Sequence, residues 1–401
     1  MTDLPTPGVA LFFLEDSAIL FSEPRQELHE LNTMAAVIWC HLENGKDRGG
    51  IAAELVAGLG VTPGDAANFV DQALDTWKLQ GLLADRPGPT HPPPQYTRTP
   101  PDDMPDFGTP AFVTARDYRL LSIGFRLRCT TAADAALLAP IFAHLASTDT
   151  PTTSFDVVRH NEGIAIYRDG QKLSQCATTE ELVPMAHNLV WLECVDLHGF
   201  FLELHAGVVG CGQPGPNNGC ILLPARPGSG KSTLTAALVQ SGWDYLSDEV
   251  ALLDVTTMRV APVPIALCLK RSGLAPVMEF WPSAKDLVFH LRSDGKRVAY
   301  LPPPIERVVP PDARMAVRGI VFPRYRKDRD LTWTALSRLD ALRRLIDECV
   351  AISGRLDVAR VGAVVNWIAN IPSHELTYGS TADAVSAIRA AFGDPSGGSA
   401  P

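Results

Sequence analysis

Residues 222–233, "LLPARPGSGKST", decide how the larger part of this chain is read. They follow the phosphate-loop spacing G-x-x-x-x-G-K-[ST] except at its first position, where Ala225 stands for glycine. The run before them, "GCILLP" (219–224), is short, apolar and branched, and predicts a buried strand. The run after, "KSTLTAALVQSG" (231–242), has apolar or small residues at helical spacing and stops at Gly242. Strand, glycine-rich turn and helix are the context the motif requires. Successive backbone N–H groups and the helix N-terminus then form an anion nest from Pro227, Gly228, Ser229, Gly230, Lys231, Ser232 and Thr233. Lys231 is expected on the β- and γ-phosphates of a nucleotide, and the Ser232 hydroxyl on Mg²⁺. Alanine at 225 costs little provided that position keeps a negative φ.

Two further stretches bear on the same chemistry. "GWDYLSDEVALLD" (242–254) reads as a strand interrupted by the carboxylates Asp248 and Glu249. One helix and one turn separate it from the loop, so it is expected to return beside the phosphate-loop strand with its acids near the phosphates. Asp248 is then the candidate base, and Glu249, with Asp248 and Ser232, the candidate metal-holding set. Upstream, "FLELHAGVV" (201–209) alternates like one strand, with His205 inside it.

The order "LHAGVV … ILLPARPGSGKST … YLSDEVALL" resembles the catalytic core of the HPr serine kinase/phosphorylase family, whose fold is similar to phosphoenolpyruvate carboxykinase. The resemblance is specific over 201–254 and faint over 113–392. It implies an α/β (α+β) kinase domain with a P-loop and a mixed sheet, with ATP, Mg²⁺ and a seryl acceptor. It places His205, Lys231, Ser232 and Asp248 on the family's matching positions. Ala225 departs from the pattern, as does Glu249, which stands where the family has a second aspartate. No segment matches the family's phosphate-consuming reverse reaction, so the resemblance favours kinase activity and leaves HPr unsupported as substrate. Beyond the core, "ARMAVRGIVFPRYR" (313–326) reads as a strand leading to Arg324 and Arg326. Arg324 is the candidate for stabilising transition-state charge, and Lys270 for contacting phosphate or acceptor.

The chain's 401 residues suffice for two or three domains, and 46 % hydrophobic with 20 % charged residues is ordinary for a globular protein. No apolar run is long enough to span a bilayer, and no signal sequence opens the chain. The eight cysteines are scattered without C-x-x-C, as expected of reduced thiols in a cytoplasmic protein. "RPGPTHPPPQYTRTPPDDMPDFGTP" (86–110) can be neither helix nor central strand and reads as a polyproline-like linker that lets each side fold alone. The expected domains are thus 1–86, a linker 87–112, 113–392 and a tail 393–401.

Residues 7–85 read as three short strands and three helices, a small winged-helix unit. Asn32 or Thr33 caps the first helix, and Thr62, Pro63 and Asp65 open the third. Over 1–90, thirteen Asp/Glu against five Lys/Arg give a net charge of −8. A duplex binder needs a basic face, so nucleic acid is excluded as a partner and a peptide, basic if charged, is favoured. "LNTMAAVIWCHLENGK" after two short strands resembles the PqqD family, the peptide-recognition element of ribosomal-peptide modifying enzymes. That resemblance implies a precursor peptide bound as an added strand, here along the edge Glu27–Asn32 and helix 64–80. The leading expectation is an ATP-dependent serine kinase acting on that peptide. A small-metabolite kinase and a non-catalytic, nucleotide-gated peptide carrier stay open, as does a homo-oligomer.

Overall fold

The computed structural model describes residues 3–15, 17–83, 110–211, 219–254 and 256–393. The expected linker up to residue 109 and the expected tail from 394 lie outside the described residues. The chain divides into two compact units. The smaller contains the N-terminal region together with Ser337–Arg343 and Gly354–Asn370, and the larger contains the rest. The expected single span 113–392 is thus broken twice by segments that belong to the smaller unit.

The N-terminal region has the expected order. An antiparallel meander of β1 (Val9–Leu14), β2 (Ser17–Ser22) and β3 (Glu27–Leu31) precedes α1 (Thr33–Glu43), α2 (Arg48–Leu59) and α3 (Pro63–Leu79). Asn32 caps α1 by accepting from the Ala35 N–H. Gly60 ends α2 in the left-handed region, and Thr62 caps α3 with Pro63 in its first turn. The helices bury Trp39 edge-on against Trp77, with centroids 5.0 Å apart, over Ala18 and Leu20 of β2.

The larger unit opens with β4 (Thr114–Leu120), β5 (Ile123–Cys129), α4 (Ala132–Phe142), β6 (Thr153–His160), β7 (Gly163–Arg168) and β8 (Gln171–Cys176). The strands form a sheet in simple order, β4-β5-β6-β7-β8. α5 (Thr179–His198) follows, started by a Thr178–Glu181 capping box. Next come β9 (Leu202–Leu204), β10 (Ala206–Cys211), β11 (Gly219–Pro224), α6 (Lys231–Gln240), β12 (Asp244–Ser247), β13 (Ala251–Leu253) and β14 (Val260–Ala261). Then follow β15 (Leu267–Lys270), α7 (Arg271–Phe280), β16 (His290–Leu291), β17 (Arg297–Leu301), β18 (Val317–Tyr325) and β19 (Thr332–Ala335). The chain closes with α8 (Arg338–Asp347), β20 (Cys349–Ile352), α9 (Val358–Ala369), β21 (Ser373–Tyr378) and α10 (Thr381–Phe392). The central sheet is mixed, as expected, in the order β12-β10-β11-β18-β21-β19. A four-stranded sheet runs β14-β13-β9-β20, and a three-stranded one β15-β17-β16.

Two expectations are corrected here. Residues 201–209 are not one strand: β9 and β10 belong to different sheets, and His205 sits at the break. The strand before the carboxylate pair, β12, pairs with β10 rather than with the phosphate-loop strand β11. Arg324 is next to last in β18, at the strand end as expected. A Cβ on Gly207 would stand 2.5 Å from Thr235 Oγ1, so β10 can press against α6 only with glycine there.

α9 completes the smaller unit. In "SAILFS", alternation turns Ala18 and Leu20 to the helices and Ile19 and Phe21 to the opposite face. Yet Ile19 and Phe21 are only 3 % and 1 % exposed. α9 packs across β1 and β2 on that face, with Gly362 against the Phe12 ring, and Phe12 is the cross-strand partner of Ile19. Gln26 donates to Leu356 O and accepts from the Leu356 N–H, and Val358 N–H donates to Glu23. A fragment ending at residue 88 leaves this face bare. Burial of each such side chain contributes about 1.5–3 kcal/mol. The fragment should therefore unfold at clearly lower urea than the same region in the full chain, read by peptide hydrogen exchange of β1 and β2; equal protection would show that α9 contributes nothing.

Candidate functional site

The loop Ala225–Gly230 joins β11 to α6, as the motif requires. Ala225 is buried and is not among the residues of positive φ, so its methyl is tolerated. Gly228 (φ +92°) has open space where a Cβ would stand. Gly230 (φ +91°) could not carry one, since it would meet Tyr378 Oη at 2.6 Å. The loop is held from outside: Tyr325 N–H donates to Ser229 O at 2.9 Å, and Tyr378 Oη donates to Gly230 O at 3.4 Å. No side chain caps α6. Its first-turn N–H groups, at Lys231, Ser232 and Thr233, are those that helix geometry leaves without an internal partner.

Across the loop two chains pass side by side from one sheet to the next. β10 pairs with β12, and β9 with β13. His205 occupies the first crossing, and Asp248 and Glu249 the second. Backbone at such a crossing leaves the ladder, so these side chains turn inward beside Lys231. The Lys231 ammonium donates to the backbone carbonyl of Asp248. His205 Nδ1 is 3.0 Å from Glu249 O and 3.8 Å from Glu249 Oε2. A carbonyl only accepts, so Nδ1 carries the proton. Burial first, then the Lys231 charge, lowers the His205 pKa and keeps the ring neutral.

The two acids differ. Asp248 is 0 % exposed, and neither carboxylate oxygen has a hydrogen-bond partner among the described residues. Burial pushes its pKa up to about 7, with Lys231 opposing and Glu249 adding to the rise. The Ser232 hydroxyl and the Cys268 backbone N–H also lower it, without closing hydrogen bonds of ordinary geometry. Glu249, in contrast, opens on a cavity of about 410 Å³. That cavity is lined by the loop and by five cations, Arg226, Lys231, Lys270, Arg292 and Lys296. It suits a polyanion.

Lys270, singled out from sequence, is therefore at the site. Arg324 lines a neighbouring cavity with Arg326 and Arg344, which shares Arg226, Pro227 and Gly228 of the loop with the first, and it pairs with Glu375 at 3.1 Å. The cation that reading missed is Arg292, held by Asp294 through Nε at 2.9 Å. Its signal was present. "HLRSDGKRVAY" carries Asp294-Gly295 between alternating residues, the mark of a tight hairpin, and β16 and β17 form one.

The orphan carboxylate of Asp248, the unpartnered Ser229 hydroxyl, the open space at Gly228 and the uncapped helix suit a magnesium–nucleotide. Among the described residues no three His, Cys, Asp or Glu cluster as a protein-only metal cage. Mg²⁺ on phosphates needs only one or two carboxylates. Among the described residues no helix is long and apolar enough to cross a membrane, and seven cysteines are free.

Residues 17–83 match the family model of PqqD, coenzyme PQQ synthesis protein D, so the chain carries a PqqD domain at its N-terminal end. Two solved structures are similar to 21 % of this chain and cover 99 % of their own, each with a TM-score of 0.20. One is described as "TbiB1 in Complex with the TbiA(beta) Leader Peptide" (19 % identity), the other as "Lasso peptide synthetase B1 complexed with the leader peptide" (20 %). No curated protein matches the chain.

Asp248 links the site to stability. A carboxyl whose pKa is about 7 folded and about 3.9 unfolded binds more protons in the folded state between those values. Its contribution is fully present below pH 4 and is lost as pH rises toward 7. Asp248→Asn should therefore melt above the wild type at pH 8, with the gap closing toward pH 4. A gap independent of pH, measured by calorimetry, would mean that Asp248 is not held protonated.

Proposed function

We propose that this protein is an ATP-dependent kinase that recruits a precursor peptide through its PqqD domain and phosphorylates a serine of that peptide. The observation that carries the kinase reading is the crossing of two strands beside the phosphate loop, which gathers Lys231, His205, Asp248 and Glu249 around a cation-lined cavity. The PqqD domain supports the peptide. β3 pairs only with β2, so its other edge has no strand partner among the described residues and suits an added strand. Glu27 and Glu30 on that edge already pair with Arg25 and Arg343. A basic leader would have to compete for them, so backbone pairing rather than charge carries the affinity.

The chain's own groups divide the chemistry as follows. The loop N–H groups and Lys231 hold the phosphates, and Lys270 and Arg292 face them from across the cavity. Bound Mg²⁺, held by Ser232 and Asp248, would neutralise charge on the phosphate oxygens. Glu249 takes the serine proton, because it is the carboxylate open to the cavity and Asp248 is not. This exchanges the roles expected from sequence, where Asp248 was the base. His205, neutral and bonded to the Glu249 backbone, positions Glu249 rather than acting itself. The serine Oγ forms a bond to the γ-phosphorus as the bond to the β-phosphate bridging oxygen breaks, and ADP leaves with that electron pair.

Single-turnover assays with labelled γ-phosphate test this reading. Label should appear on the peptide serine; label on a small molecule would favour a metabolite kinase, and no transfer a nucleotide-gated carrier. Lys231→Met removes a charge-assisted hydrogen bond to phosphate and should weaken ATP binding by about 2–3 kcal/mol. Glu249→Gln should keep ATP affinity within a few-fold and slow transfer by roughly 10²–10⁴. Asp248→Asn should instead raise the Mg²⁺ concentration needed for half-maximal rate. Transfer at the wild-type rate in Glu249→Gln would return the base role to Asp248.

A further inference from the structure

A second cavity, of about 540 Å³, opens from the nucleotide cavity's wall. Glu249, Cys268 and Arg292 line both. None of the phosphate-loop residues lines the second one. The carboxylate placed as base therefore faces nucleotide on one side and this second space on the other. We propose that this second cavity is the acceptor site, and that it holds an extended, serine-bearing peptide segment added to the free edge of β8. The proposal rests on the kinase reading and deepens it.

Three observations choose that occupant. First, the cavity runs along consecutive residues of one strand and its end, Ser174, Gln175, Cys176 and Ala177. Among the described residues β8 pairs with β7 alone, so it offers an edge to an incoming strand. Second, the facing wall is α5, which presents Met185, Asn188 and Leu189 at the spacing of one helical face. A backbone edge opposite a helix makes a slot open along its length, which suits a chain better than a compact metabolite. Third, the charges suit a neutral or basic segment. Glu181, Glu249 and Asp294 line the cavity against Arg292, which is already paired with Asp294. A phosphate-bearing metabolite would meet carboxylates there.

Arg292 gains a role from this placement. Its guanidinium is shared by both cavities, while Asp294 fixes its orientation through two hydrogen bonds. It stands where charge on the transferred group would pass from nucleotide to acceptor.

Asn188 is exposed on α5 and can be enlarged without touching the core. The experiment measures steady-state transfer to a precursor peptide by wild-type full-length chain, Asn188→Trp and Asn188→Ala, varying peptide and ATP separately. Asn188→Trp should raise the peptide KM at least tenfold and leave the ATP KM within about twofold; Asn188→Ala should stay near wild type in both. A benzoylphenylalanine at 188 should in addition crosslink to the peptide next to its modified serine. If the wild type transfers phosphate to peptide but Asn188→Trp leaves the peptide KM unchanged, the acceptor site lies elsewhere. A crosslink confined to the leader would overturn it equally. If the wild type transfers to a small molecule only, the kinase substrate is misassigned and the peptide slot falls with it. Absence of any transfer by the wild type would instead overturn the function on which this site rests.

Discussion

The site depends on two strands leaving one sheet and entering another at the same place. β10 and β12 are neighbours in the central sheet, and β9 and β13 are neighbours in the four-stranded one. Each crossing costs ladder hydrogen bonds, and the structure replaces some of them. His205 N–H donates to Glu348 O, and the Ser247 hydroxyl accepts from the Glu249 and Val250 N–H groups. What remains is a short stretch of backbone whose side chains need not alternate. That freedom lets His205, Asp248 and Glu249 converge on Lys231. An unbroken strand would have sent alternate residues to opposite faces.

The crossing also explains the difference between two adjacent carboxylates. Asp248 ends closed off beneath the Lys231 ammonium, which donates to its carbonyl, and burial raises its pKa. Glu249, one residue on, opens to both cavities. Neighbouring acids with different environments can take different roles, one on a metal and one on a proton. Arg324, on β18, stands on the other side of the loop, where it reaches Glu375 and a cavity that shares Arg226, Pro227 and Gly228 with the first.

The smaller unit shows a second constraint, that of a strand buried on both faces. A three-helix layer covers only one side of a three-stranded meander. The run "SAILFS" puts apolar residues on both sides, and helix α9, supplied from residues 358–369, covers the other. The PqqD match ends at residue 83 and does not include this helix. The domain as folded here is thus larger in space than in sequence.

Local signals were legible from the sequence alone. The strand, glycine turn and helix of 219–240, the caps of α1 and α3, the meander with its three helices and the adjacency of the acids to that turn all rest on interactions within a few residues, or on periodicity within one element. Ala225 was readable too, because its requirement is only a negative φ. The tertiary structure decided what periodicity cannot express. "FLELHAGVV" alternates as one strand would, and only pairing with two different sheets breaks it at His205. The opening of Glu249 and Arg292 onto one cavity and the helix behind β2 follow from which distant segments meet. Arg292 stands 61 positions beyond Lys231 (292 minus 231) and Phe12 lies 350 before Gly362 (362 minus 12). Such meetings are set by packing of whole sheets and helices, where the burial gained is shared among many residues and no local pattern carries it.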